Sequence, residues 1–222
     1  GSSFVQVVNA VGNETPVVKD EEDFARTFEA VQQLIKQNLV LAGHDISAGG
    51  LITTLLEMCF ATVETGIKAD LTPMDERDTI RLLFSENPGV VMQVKDLEAA
   101  REIFKSHRVD FIPIGSVSRD RTLLITNGDD SHAFDIDRLR DTWFRSSYML
   151  DRRQSGEVLA LQRFRNFREQ PLNFRFRPDF TGRFLSFGID PKRRISSGVK
   201  AAIIREKGVN RDRDMAWALY LA

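Results

Sequence analysis

The sequence predicts an α+β fold: a mixed sheet with packed helices, followed by an irregular connector and one βα unit. Three observations carry this reading. Helical spacing recurs in Phe24, Phe28, Val31 and Ile35, and again in Leu97, Ala100, Ile103 and Phe104. Short strand-like runs stand between these stretches, as in the alternation of Ile67, Ala69 and Leu71 with Lys68 and Asp70. Some strands also fall in adjacent pairs, with Asn127-Gly128 as a tight-turn signal, which favours layered α+β architecture over strict βα repetition.

Residues 4–11 read as a short helix closed by Gly12-Asn13 and Pro16. Asp20 is the expected N-cap of a helix running to about Gln37, with Phe24, Phe28, Val31 and Ile35 as its core face. The apolar run Leu39-Val40-Leu41 is a strand, and a glycine-containing turn over 42–50 leads into the next helix. There Leu51, Leu55, Leu56, Cys59 and Phe60 share an apolar face, with Thr53, Thr54 and Glu57 on another. Gly66 opens a strand, 75–84 is a helix, and Asn87-Pro88-Gly89 turns into a buried strand over 90–94. A helix over 96–105 follows, then strands near 111–117, 122–126 and 133–136, all layered around one sheet. From 137 to 168 the period is helical, broken at Ser155-Gly156.

Residues 170–197 have no clear period. They carry Pro171, Pro178 and Pro191 with phenylalanines at 174, 176, 180, 184 and 187, an aromatic content that predicts an ordered connector rather than a floppy linker. An apolar strand over 199–204, a turn at Gly208-Val209-Asn210 and a helix from near Asp212 make one βα unit, which cannot bury its own faces.

The composition, 42% hydrophobic and 28% charged, is that of an ordinary globular protein. No apolar run approaches the roughly 20 residues that cross a bilayer, and a single cysteine fits a reducing cytoplasm, the expected location. The single cysteine, Cys59, excludes an internal disulfide, and with three histidines it leaves no zinc-type ligand cluster. The net charge of −1 hides an asymmetry. Residues 1–151 hold 15 Lys and Arg against 25 Asp and Glu, whereas 152–194 hold 11 against 4. The break near Asp151 predicts a module boundary there.

The chemistry concentrates in Ala42-Gly43-His44-Asp45-Ile46-Ser47-Ala48-Gly49-Gly50-Leu51. A helix start leaves N–H groups unpaired and partially positive, which suits an anion. Gly49 and Gly50 have no side chain to keep a phosphate away, Asp45 offers a carboxylate to a phosphate-bound Mg2+, and Ser47 offers a hydroxyl to a phosphate oxygen. The alternative is structural: Asp45 or Ser47 caps the helix and the glycines form its turn. His44 either contacts a phosphate or makes a structural hydrogen bond. Glu86 either lines the same cleft or caps its turn. Cys59 sits mid-helix with no elbow glycines and reads as a buried, inert thiol, and His107 and His132 read as solvent-facing.

The run His44 to Leu51, continued by Leu55-Leu56-Glu57-Met58 and Phe60-Ala61, resembles the phosphoribosylformylglycinamidine synthase family of the aminoimidazole ribonucleotide synthetase superfamily. The resemblance also covers Gly1-Ser2-Ser3-Phe4, Phe84-Ser85-Glu86-Asn87-Pro88-Gly89-Val90 and Phe134-Asp135-Ile136-Asp137-Arg138-Leu139-Arg140. It returns in Gly188-Ile189-Asp190-Pro191-Lys192-Arg193-Arg194 and in Arg205-Glu206-Lys207-Gly208-Val209-Asn210.

The resemblance implies a C-terminal synthetase subdomain of the second half over 1–150, a basic connector over 151–197, and the opening of a class I glutaminase domain over 198–222. The chain then reads as a fragment of an ATP-dependent, glutamine-using ligase of purine biosynthesis, inactive by itself, with no catalytic residue of its own. Asp45 would be the magnesium ligand, and Ser47, Gly49, Gly50 and His44 the nucleotide contacts, at an auxiliary site holding ATP or ADP with Mg2+. The implied partners are the first synthetase half, the glutaminase domain and a small-molecule nucleotide, with no membrane or nucleic acid. A rival reading from another class is a non-catalytic interaction or nucleic-acid-binding module that uses the Arg and Phe residues of the connector.

Overall fold

Four helices begin where an aspartate accepts otherwise unpaired backbone N–H groups. Asp20 accepts from the Asp23 amide at the start of α2 (Glu21–Lys36), and Asp78 from the Ile80 and Arg81 amides at α4 (Thr79–Phe84). Asp96 caps α5 (Leu97–His107) and Asp135 caps α6 (Ile136–Ser155) in the same way. The structure, a computed structural model, describes every residue except 1, 14, 170–174, 194, 196, 197, 199, 209 and 222. It divides into two compact units, Gly1–Glu169 and Gln170–Ala222.

In the first unit, β2 (Gly66–Asp70), β4 (Gly115–Ser118), β5 (Thr122–Asn127) and β6 (Asp130–Asp135) form a sheet in the order β4-β2-β5-β6. β2 runs antiparallel to β4 and parallel to β5, and β5 is antiparallel to β6, so the sheet is mixed, as expected. Helix α3 (Gly50–Phe60) covers it. Leu51, Ile52, Leu55 and Cys59 pack with Ala69, Leu71, Leu123, Ile125, Leu83 and Ile136 in the main core.

The remaining strands, β1 (Val40–Ile46) and β3 (Gly89–Val94), form a separate antiparallel pair rather than joining one sheet. Two cores explain the separation. Val40, Met92 and Val94 pack with a second cluster made by Ala30, Leu34, Ala100, Ile103 and Phe104 of α2 and α5, while Ile46 and Val91 at the other end pack on the main core.

Helix α2 forms where expected but buries a different face. Ala30 and Leu34 are fully buried against α5, whereas Phe24 is 55% exposed, Phe28 59% and Ile35 49%. Spacing placed the large apolar residues on one stripe, and the tertiary contact instead uses the neighbouring stripe. The expected helix over 75–84 starts only at Thr79. A 3-10 turn at Thr72–Met74 ends with Asp75 at a positive φ of 54°, which breaks the helical path. The first helix, α1 (Ser3–Val7), is likewise shorter than predicted.

The composition break at Asp151 falls inside α6, which runs unbroken to Ser155. Arg140 explains why α6 and α7 (Glu157–Arg165) stay together. It is 6% exposed, lies over the rings of Phe144, Phe164 and Phe167, and donates to Asp141 and the Phe164 carbonyl. Of the basic residues counted there, Arg152 and Arg153 lie on α6 and Arg163 and Arg165 on α7.

In the second unit, Phe176 stacks on Phe180 with centroids 4.3 Å apart, and Phe180 meets Phe187 at 5.8 Å. Arg177 pairs with Asp179. Helix α8 (Asp212–Leu221) starts where predicted, but residues 200–204 form no strand, since a strand is defined by a paired ladder and these residues have none here. Phe174, Val199 and Val209 lie outside the described residues. No helix among the described residues is long and apolar enough to cross a membrane.

Candidate functional site

The motif is divided between strand and helix differently from the sequence expectation. β1 runs through His44, Asp45 and Ile46, so the turn comprises only residues 47–49. Pairing with β3 causes this extension, with Asp45 opposite Val90 and Ile46 opposite Gly89. Asp45 therefore stands at the end of a strand, and its side chain is 75% exposed. Ser47 is exposed on the turn beside it.

Gly49 and Gly50 take left-handed conformations, with φ of 91° and 74°. Gly50 is also fixed by space, because a Cβ there would lie 2.6 Å from the Leu83 carbonyl oxygen and 2.8 Å from Phe84 Cα. Both amides of this pair already have acceptors within the protein. Gly50 N–H donates to the Ser47 carbonyl at 3.0 Å, and Gly49 N–H donates to Glu86 Oε1 at 2.7 Å.

Glu86 also accepts from the Ser3 amide, at 2.8 Å. Partial burial opposes its ionisation, but the Gly49 and Ser3 N–H bonds outweigh that and hold its carboxyl below the usual carboxylate range. Of its two sequence readings, the one that puts Glu86 beside the motif fits the geometry: its carboxylate accepts from Gly49 of the arc and from Ser3, not from its own turn.

His44 has three contacts of its own, one of them between its Nδ1 and Asp45 Oδ1 at 3.5 Å. Its Nδ1 lies 2.8 Å from the Asp45 carbonyl oxygen, and its Nε2 lies 3.2 Å from Glu57 Oε2. Sequence spacing did not single out Glu57, which joins His44 from α3. Nor did it single out Thr54, placed with the polar face but in fact 2% exposed. Thr54 donates through its hydroxyl to the Asp45 carbonyl at 3.0 Å and lies 3.3 Å from the Gly50 carbonyl. A threonine inside an otherwise apolar helix face was the available signal.

The other expected residues lie away from this arc. Cys59 is buried at the far end of α3, where burial raises its thiol pKa and Arg121 partly offsets the shift. Arg121 donates to the Cys59 and Thr65 carbonyls and pairs with Asp137, tying the end of α3 to β2 and α6. His107 is not solvent-facing, since its Nε2 lies 2.8 Å from Gln33 Oε1, across α2 and α5.

A phosphate-bound magnesium ion typically takes one or two protein carboxylates and completes its shell with water and phosphate oxygens. Asp45 offers one exposed carboxylate of that kind. Among the described residues no group of three His, Cys, Asp or Glu side chains is gathered to hold a metal. The donors therefore fit one ligand of such an ion and do not form a cage around it.

Residues 1–125 match the family described as AIR synthase related protein, C-terminal domain. The chain belongs to this family. The match spans the whole motif arc, the second core, and the main core and its sheet up to Ile125 of β5. A probable phosphoribosylformylglycinamidine synthase, chloroplastic/mitochondrial, from Arabidopsis thaliana is 35% identical over 100% of this chain. The phosphoribosylformylglycinamidine synthase of Homo sapiens is 30% identical, again over the whole chain. The chain spans 16% and 17% of the lengths of these two relatives. Among solved structures, T. maritima PurL complexed with ATP is 21% identical with a TM-score of 0.49, covering 55% of this chain and 22% of that one.

Proposed function

We propose that this chain is part of a phosphoribosylformylglycinamidine synthase and supplies one wall of an auxiliary magnesium–nucleotide site. The observation that carries the reading is likeness over the whole chain, at 30–35% identity, to relatives bearing that name. Because those relatives are several times longer, the activity belongs to the larger protein, and its remaining synthetase and glutaminase parts are the chain's partners. Residues 1–150 serve as the synthetase subdomain, 151–197 as the connector and 198–222 as the opening of the glutaminase part. A cytoplasmic location fits this role.

The reaction is amide activation. ATP transfers its terminal phosphoryl group to the amide oxygen of formylglycinamide ribonucleotide, leaving ADP. Ammonia taken from glutamine then displaces phosphate to give the amidine. Magnesium supplies charge neutralisation for phosphate groups in such chemistry.

The chain's own residues bind and orient. Asp45 presents its carboxylate at the end of β1, and Ser47 presents its hydroxyl on the adjoining turn. His44 is held by the Asp45 carbonyl and Glu57, which makes it a support for the Asp45 backbone and leaves direct nucleotide contact to the two exposed residues. Asp45, Glu57 and Glu86 make this rim acidic, so a bare phosphate is disfavoured and a phosphate neutralised by a divalent cation is accepted.

The test uses the full-length protein with formylglycinamide ribonucleotide, ATP, magnesium and glutamine. ADP, glutamate and amidine forming in equal amounts support the reading. ADP release that does not depend on formylglycinamide ribonucleotide would assign the chain to another reaction.

A further inference from the structure

We infer that Glu86 is a positioning residue for Asp45 and Ser47, and that the Gly49 amide shapes the site instead of binding phosphate. The inference rests on the magnesium–nucleotide reading above, which named Gly49 among the expected contacts.

Several ties hold the arc from Asp45 to Gly50, among them the Thr53 hydroxyl on the Gly49 carbonyl. Thr54 holds the Asp45 carbonyl, the Gly50 amide holds the Ser47 carbonyl, and Glu86 holds the Gly49 amide. All but the last come from α3 or from the arc itself. Glu86 arrives from the connection between α4 and β3, 37 residues away in sequence.

Two successive glycines in left-handed conformations carry little intrinsic preference for that shape, so an external tie is needed to keep it. A carboxylate is well suited, because it also complements the partial positive charge at the start of the 11-residue α3. Glu86 is anchored in turn. Its Oε1 accepts from Ser3, and Phe84, two residues earlier, stacks on Phe4 with centroids 4.3 Å apart. With the Gly49 donor taken by this oxygen, nucleotide contact falls to the exposed side chains of Asp45 and Ser47.

The experiment titrates MgADP into the full-length protein and into its Glu86→Ala, Glu86→Gln and Asp45→Asn variants, well below their melting temperatures. Amide exchange at Gly49 and the amide shifts of Asp45 and Ser47 are followed by NMR on the 222-residue chain carrying the same substitutions. Glu86→Ala is expected to weaken MgADP about tenfold, while Glu86→Gln, which keeps an acceptor oxygen, stays within about threefold of wild type. The Gly49 amide exchanges fast only in the alanine variant. Affinity unchanged in Glu86→Ala overturns the inference, and tighter binding overturns it too, because Glu86 would then compete with phosphate for the Gly49 amide. If wild type and Asp45→Asn do not differ toward MgADP, the nucleotide reading itself has failed. The positioning role is then decided by the shifts, and Asp45 and Ser47 shifts unmoved in Glu86→Ala refute it.

Discussion

The Thr54 hydroxyl donates to the Asp45 carbonyl oxygen at 3.0 Å, joining α3 to the end of β1. Because Thr54 is buried, removing the hydroxyl while keeping the shape takes one donor from that carbonyl, which His44 Nδ1 also approaches. Thr54→Val should therefore lower stability by about 1 kcal/mol in urea unfolding, and Thr54→Ser should recover most of it. Equal stability of the valine variant and wild type would remove this tie from the account.

Arg140 holds α6, α7 and the following 3-10 turn (Asn166–Glu169) together through three phenylalanine rings and the Phe164 carbonyl. Arg140→Ala removes a nearly fully buried side chain and should cost about 2–3 kcal/mol. Arg140→Lys should recover only part of this, since an ammonium does not stack as a planar guanidinium does. Denaturant unfolding of the two variants measures both.

Glu86 also sets a pH dependence. Its folded carboxyl titrates below the ordinary value of 4.5, so the stability it contributes is complete above that value and is lost as pH falls through the lower folded value. The gap in melting temperature between wild type and Glu86→Gln should be constant near neutral pH and close as pH falls below about 4. A gap that widens on acidification would contradict the direction of the shift.

The fold was legible in the sequence where local signals and tertiary contacts agreed. Asp20 and Asp96 start helices as predicted, and Leu55, Leu51 and Cys59 face the core. It was illegible where a distant partner decided the outcome. Phe24 and Phe28 form the strongest apolar stripe of α2, yet α5 packs on Ala30 and Leu34, and no periodicity within α2 reveals which stripe its neighbour takes. The strand through Asp45 was hidden for the same reason, because His44 and Asp45 look like turn residues until β3 pairs with them. Within the candidate site, Asp45 and Ser47 were picked out by residue type, and the structure places both side chains at the surface. The occupation of the Gly49 amide did not, since Glu86 lies beyond any local window.

The chain alone is expected neither to form amidine nor to hydrolyse glutamine. Amide activation requires nucleotide and substrate held between two walls, and positional catalysis fails with one wall missing. Cys59 is buried with its thiol pKa raised, so it is a poor nucleophile. Glutamate and ADP assays on the 222-residue chain should read background in wild type and Cys59→Ala alike. Turnover lost on Cys59→Ala would reverse this assignment.

The central claim is that Asp45 carries the metal-bound nucleotide. The most direct measurement compares MgADP affinity of the full-length protein and its Asp45→Asn variant, with the melting temperature of each recorded alongside. The side chain is 75% exposed and its contact with His44 Nδ1 is 3.5 Å long, so the variant should melt within about 1 °C of wild type while binding MgADP at least tenfold more weakly. Unchanged affinity with unchanged melting temperature would show that Asp45 is not a magnesium ligand.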